Sequence, residues 1–129
     1  MKKNMSLAIS VLGPILLVFA CSHLQKPVAV EDRQNAIEMT ASDFKFEPNN
    51  IVTKAGNTIT FRIQNTSGTT HNFTLTDPEG DITQNVDIPS KQSIEVTATF
   101  SKPGTYQFHC NKIGHSELGM KGQVVAAGK

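Results

Sequence analysis

Three residues whose side chains bind soft metal ions lie close together near the end of the chain. In TYQFHCNKIGHSELGMKG, which covers 105–122, Cys110 is followed by His115 and then by Met120, with four residues in each interval. A thiolate, an imidazole and a thioether together suit copper, because Cu(I) prefers sulfur and Cu(II) accepts nitrogen. Zinc is bound by Cys, His and carboxylates rather than by methionine. Iron–sulfur clusters need more cysteines than the two in this chain. The pattern therefore predicts a copper site.

The amino terminus has the layout of a secretory signal. MKKNMSLAISVLGPILLVFAC begins with basic residues and continues with an apolar run over 7–20, which is too short to span a membrane comfortably. Its end, LVFAC, resembles the lipobox of bacterial lipoproteins, in which the cysteine carries the lipid. We therefore predict a signal peptide over 1–20, cleaved before a lipidated Cys21. An ordinary signal peptide and an uncleaved anchor remain open, and all three place the protein outside the cytoplasm.

The cysteine count bears on the copper site. Two cysteines in an exported protein ordinarily form a disulfide. If Cys21 carries a lipid, Cys110 has no partner and is a free thiol in an oxidising compartment. Metal ligation gives such a thiol a reason to exist.

The segments that carry these residues alternate apolar and polar side chains, which is typical of strands with one buried face. Clear examples are 59–64, 71–76, 94–100 and 106–110. Turn-forming sequences such as KAGN and DPEGD separate them. The pattern predicts an all-β, Greek-key β-sandwich of antiparallel strands, about seven or eight in number, in a single domain over 36–129. Residues 21–35 are predicted to form a tether, and 81–86 could form a helical turn.

Strand alternation distinguishes the histidines. Cys110 shares a face with the apolar side chains of Tyr106 and Phe108, so His109 must point to the opposite face. A mononuclear copper site of this kind needs a second imidazole, and His71 is the remaining inward candidate. It begins a strand, whereas Cys110 ends one, and antiparallel neighbours bring such positions together.

Residues Asp43 to Val125 resemble the cupredoxins, the blue copper proteins of the plastocyanin, azurin and auracyanin type. The resemblance is carried by SDFKFEPNNIVTKAGNTITFRIQN, THNF and GTYQFHCNKIGHSELGMKG. It implies one type 1 copper ion cycling between Cu(I) and Cu(II). It further implies that Asn72 and Asn111 pin the ligand segments and hydrogen-bond near the cysteine sulfur, and it leaves open whether the Thr70 carbonyl is an additional axial ligand. The implied copper ligands are His71, Cys110, His115 and Met120.

The predicted function is single-electron transfer between extracytoplasmic redox partners by a monomeric carrier. Electrons are expected to pass through His115, with brief docking of the partner. Ile113 and Leu118 either form an apolar rim for that docking or anchor the loop. The formal net charge of +1 gives no basic face for nucleic acid. Copper storage, delivery or detoxification is the alternative function. An enzyme is not expected, because the two histidines left, His23 and His109, are too few for further metal centres.

Overall fold

The alternation of apolar and polar residues produces a β-sandwich made of two sheets. The computed structural model describes residues 24–31 and 36–128, so the predicted signal peptide, Cys21 and His23 lie outside the described residues. The described part contains no helix long and apolar enough to cross a membrane. Residues 24–31 and 36–128 form ten strands: β1 (Val28–Ala29), β2 (Ala36–Ser42), β3 (Lys45–Glu47), β4 (Asn50–Lys54), β5 (Thr58–Asn65), β6 (His71–Thr76), β7 (Ile82–Ile88), β8 (Ser93–Thr99), β9 (Gly104–His109) and β10 (Lys121–Ala127).

The two sheets contain six and four strands. The larger has the order β1-β4-β10-β9-β6-β7, and the smaller has the order β3-β2-β5-β8. The predicted all-β sandwich is confirmed, with ten strands instead of seven or eight. The sheets are mixed and not antiparallel throughout as expected, because β1 and β10 pair with β4 in parallel, as does β2 with β5.

Strand β7 replaces the helical turn expected over 81–86. It pairs with β6 in antiparallel register from His71 opposite Ile88 to Thr76 opposite Ile82. Asn, Gln and Asp residues lower the strand propensity of this segment. The open edge of β6 nevertheless offers a complete row of backbone partners, and pairing with it outweighs the weak local preference.

Residues 24–31 lie on the domain, although 21–35 was predicted to be a tether. Their strand β1 adds to the edge of β4, and Val30 is only 7 % exposed. The Gln25 N–H donates to Asn49 Oδ1 over 2.8 Å. Leu24 lines a surface cleft together with His109 and Ser116, so this segment starts beside the end of β9.

Aromatic side chains from both sheets fill the core. The rings of Phe73 and Phe108 stack with their centroids 5.3 Å apart, and Phe46 meets each of them edge-on. All three side chains are fully buried. Aromatic pairs of this kind add about 0.5–1.5 kcal/mol beyond the burial of their area. Because Phe73 is on β6 and Phe108 on β9, the core fixes the two strands that lead to His71 and Cys110.

Candidate metal centre

The pairing of β6 with β9 brings the first two predicted ligands together. Thr74 is opposite His109 in an antiparallel register. His71, at the start of β6, and Cys110, directly after β9, therefore lie at the same end of the sandwich. Their placement confirms the prediction made from strand order.

The loop after Cys110 is closed by backbone hydrogen bonds. The Cys110 N–H donates to the Met120 carbonyl over 3.0 Å, and the Met120 N–H donates to the His115 carbonyl, also over 3.0 Å. Gly114 and Gly119 have φ angles of 81° and 110°, a region that favours glycine. The loop can therefore turn sharply on both sides of His115 and still return to β10.

Three side-chain donors converge at this end. One ligand atom from each of His71, Cys110 and His115 can be chosen so that all lie within 4.8 Å of one another. The two Nδ1 atoms are 3.2 Å apart, and Cys110 Sγ is 3.5 Å from His115 Nδ1. Cys110 is a free cysteine. Two imidazole nitrogens and one thiol sulfur thus face a common point.

Water has little access to most of this donor set. His71, Cys110 and Met120 are fully buried, whereas His115 is partly exposed. Met120 is joined through its main chain to Cys110 and His115, which keeps it at the same end. Two nitrogens, a thiol and a thioether gathered at this end of the sandwich fit copper better than the harder metals.

The face assignment of the neighbouring histidine is confirmed. Tyr106, Phe108 and Cys110 are all buried, with at most 3 % exposure. His109 alternates with them, is partly exposed and is opposite Lys121 in β10. It takes no part in the converging group.

The outer nitrogen of His71 lies close to two oxygen atoms that the sequence did not reveal. Nε2 is 2.8 Å from Ser67 Oγ and 3.2 Å from Asp43 Oδ1. A carboxylate can only accept a hydrogen bond, so the ring proton is on Nε2 and the Nδ1 lone pair is left for a metal. Such a bond to the far nitrogen is typical of metal-binding histidines.

The protonation of His71 also suits metal binding. Burial lowers the pKa of His71 below its usual value, and the positive form of nearby His115 acts in the same direction, while Asp43 opposes both. The neutral imidazole, which is the form that binds a metal, is therefore favoured.

The two predicted supporting amides are tied to β7. Asn72 Nδ2 donates to Asn85 Oδ1 over 2.9 Å and to Asp87 Oδ1 over 3.2 Å. Asn111 Nδ2 donates to the same Asn85 oxygen over 3.3 Å. Among the described residues neither amide bonds to the cysteine sulfur, whose polar contact is His115 Nδ1. Asn72 and Asn111 thus connect the ligand segments through Asn85, which the sequence analysis missed.

Exposed apolar side chains occur on the ligand loop and beside the accessible ligand. Ile113 is fully exposed and Leu118 is 57 % exposed. Of the two roles predicted for Ile113, such exposure favours a place in an apolar rim over a role as an anchor of the loop. The ring of Phe44, which the sequence analysis did not single out, meets the His115 ring edge-on with centroids 4.8 Å apart. These three side chains are called the apolar rim below.

Comparison with known proteins gives a consistent group of relatives. A family model described as Cupredoxin-like domain matches residues 11–126. The chain is 39 % identical to the chloroplastic plastocyanin of Hordeum vulgare over 88 aligned residues, covering 61 % of this chain and 52 % of that protein. It therefore spans about half the length of that relative.

Two solved structures share the fold. Auracyanin from Roseiflexus castenholzii is 23 % identical, with a TM-score of 0.63, over 73 % of this chain and 98 % of that one. Auracyanin A from Chloroflexus aurantiacus, described as a "blue" copper protein, is 24 % identical, with a TM-score of 0.62, over 78 % of this chain and 99 % of that one.

Proposed function

The chain belongs to the cupredoxin-like family, and from this premise we propose that it is a single-copper protein that transfers one electron at a time. The observation that carries the proposal is the convergence of buried His71 and Cys110 with His115. Met120 completes the type 1 ligand set. Bound copper supplies reversible one-electron chemistry between Cu(I) and Cu(II).

The polypeptide holds the donors in one arrangement. His71 and Cys110 are fixed by paired strands and by the stacked core rings of Phe73 and Phe108. Met120 is held by backbone bonds. Because interiors are close-packed, little rearrangement of these residues accompanies a change of charge at the site. Burial of three of the four ligands keeps water away from the sulfur atoms.

The apolar rim is the proposed surface on which a redox partner docks next to His115. This histidine is the partly exposed member of the set. The Phe44 ring meets it edge-on, and exposed Ile113 and Leu118 lie on the ligand loop on either side of it in sequence. A small contact of this kind is typical of brief redox encounters. We infer that a monomer docks through the rim and that electrons pass through His115.

We also propose an extracytoplasmic location with a lipid on Cys21. The support is the signal-like sequence and the lipobox-like LVFAC. Labelling of producing cells with a radioactive lipid precursor should mark the wild-type protein and leave Cys21→Ala unmarked. Equal labelling of both would refute the anchor.

Copper storage or delivery is the competing function. A protein that gives up its metal needs accessible ligands, whereas His71, Cys110 and Met120 are fully buried. Transfer of copper to a competing chelator should therefore be slow compared with electron transfer. An enzyme would need additional metal ligands. In the described part of the chain the one histidine beyond the site is His109, on the opposite face.

The visible spectrum of the protein after addition of Cu(II) tests the proposal. We expect an intense blue thiolate-to-copper band that is lost in Cys110→Ser. His109→Ala is the matched control and should keep the band, because His109 faces away from the site. A colourless or pale complex of the wild-type protein would contradict the proposed function.

A further inference from the structure

The far nitrogen of His71 contacts a carboxylate that comes from a separate part of the chain. Asp43 follows β2, and its Oδ1 lies 3.2 Å from His71 Nε2. The same oxygen accepts a hydrogen bond from Thr69 Oγ1 over 3.0 Å. Thr69 is in the loop that precedes His71. The loop that leads to His71 therefore also orients the Asp43 carboxylate. The Asp43 side chain is 47 % exposed.

The second acceptor of that nitrogen is neutral. Ser67 Oγ lies 2.8 Å from His71 Nε2 and 2.8 Å from Asn65 Oδ1. The Asn65 carbonyl oxygen can only accept, so the serine hydroxyl donates to it and receives the histidine N–H on its oxygen. The N–H of His71 therefore faces one neutral and one anionic oxygen. Of these two oxygens, that of Asp43 brings a negative charge to the ring.

We propose that Asp43 is a positioning residue for the metal site. It holds the His71 ring with Nδ1 toward the other donors, and its charge favours the more positive oxidation state of the site. The statement about the charge of Asp43 and the oxidation state rests on the proposed function. A carboxylate that accepts the far N–H of a ligating imidazole fixes the ring orientation and raises the basicity of the ligand. The protein thereby sets its affinity for an electron through a residue that does not touch the metal.

The size of the charge effect follows from distance and exposure. A unit charge that is separated from the metal site by one imidazole ring interacts strongly with the charge of that site, even at an effective dielectric constant of about 20. The half-exposed position of Asp43 reduces that interaction through solvent screening. We expect Asp43→Asn, which keeps the shape and one acceptor oxygen, to shift the Cu(I)/Cu(II) equilibrium about tenfold toward Cu(I). For one electron this corresponds to a rise of about 59 mV.

The reduction potential of the copper-loaded protein is the first measurement. Glu117→Gln is the matched control, because it removes an exposed carboxylate from the ligand loop that, within the described part of the chain, forms no hydrogen bond or ion pair with either histidine. The control should change the equilibrium by less than about twofold. An unchanged potential in Asp43→Asn would refute the role of Asp43. Equal shifts in the two variants would show a general charge effect and would also refute it.

The second measurement needs no metal. In the nitrogen-15 NMR spectrum of the metal-free protein, we expect His71 to carry its proton on Nε2. In the wild-type protein this proton should exchange slowly with water. Its resonance should move upfield in Asp43→Asn but not in Glu117→Gln. A proton on Nδ1 in the wild-type protein would overturn the assignment. This test is independent of copper. Absence of the blue band would therefore refute the proposed function, but it would leave open whether Asp43 contacts His71 as described.

A further variant separates orientation from charge. Thr69→Val keeps the carboxylate and removes the hydroxyl that orients it. We expect a change in the His71 Nε2 proton resonance in the same direction as in Asp43→Asn, but smaller. A larger change than in Asp43→Asn would contradict a direct role for the carboxylate.

Discussion

Asn85 joins the two segments that carry His71 and Cys110, and its replacement by alanine is expected to destabilise the domain. Its Oδ1 accepts from Asn72 Nδ2 at 2.9 Å and from Asn111 Nδ2 at 3.3 Å. Asn72 is only 2 % exposed. Water therefore cannot readily replace the shorter bond, and Asp87 at 3.2 Å satisfies the amide only in part.

The magnitude follows from these contacts. A buried hydrogen bond contributes about 1 kcal/mol net, with an additional cost when a buried donor loses a partner. The longer bond to Asn111 is exposed and adds little. We therefore expect Asn85→Ala to lower the free energy of unfolding by about 1.5 kcal/mol, which corresponds to a decrease in Tm of about 6–12 °C for a domain of this size.

Urea denaturation of the metal-free protein, followed by circular dichroism, measures this change. Asn85→Asp keeps an acceptor oxygen at the same place and should stay within about 0.5 kcal/mol of wild type. Asn111→Ala removes only the exposed bond and should also have a small effect. Wild-type stability in Asn85→Ala would refute the reasoning, as would an equal loss in Asn85→Asp.

Three further predictions concern other parts of the domain. Partial burial raises the pKa of Asp77, but backbone N–H groups of Asp81 and Glu79 that donate to its carboxylate hold the pKa below its usual value. Its stabilising effect is present above the unfolded pKa of about 3.9 and is lost as the pH falls through the lower folded pKa. The stability difference between wild type and Asp77→Ala, measured by urea denaturation, should therefore shrink below about pH 4, and a constant difference would refute this. Gly122→Ala places a methyl group against the Phe108 ring and the Asn49 carbonyl and should cost about 1–3 kcal/mol in the same assay; wild-type stability would show that the strands can separate. Met120→Leu should keep the blue band and raise the reduction potential, and an unchanged potential would argue against axial ligation.

The sequence was sufficient to place Cys110 on the inner face and His109 on the opposite one, because strand alternation is a local property. The period of two places Tyr106, Phe108 and Cys110 on one face, and the structure buries all three. The location of His71 at the start of a strand also needed no knowledge of distant contacts. Such patterns depend on neighbouring residues and are visible in a single sequence.

The contacts around the ligands depend on tertiary structure and could not be predicted in the same way. Asp43 meets His71 only after two loops have been placed side by side. Asn85 was in the segment 81–86, for which a helical turn was expected, and its role depends on the pairing of β7 with β6. The parallel pairs β1–β4 and β2–β5 join non-consecutive strands, and alternation contains no information about which strands become neighbours.

The path of residues 24–31 along β4 has a consequence for orientation. Leu24 lies in the cleft that also includes Ser116 of the ligand loop, and only two residues separate it from Cys21. Three residues of extended chain span at most roughly 11 Å, which limits how far from Leu24 a lipid on Cys21 could be attached. A lipid at Cys21 would hold the end of the sandwich that carries the metal toward the bilayer. The protein would then exchange electrons in the layer next to the membrane surface, with partners that present their own redox centres at that height.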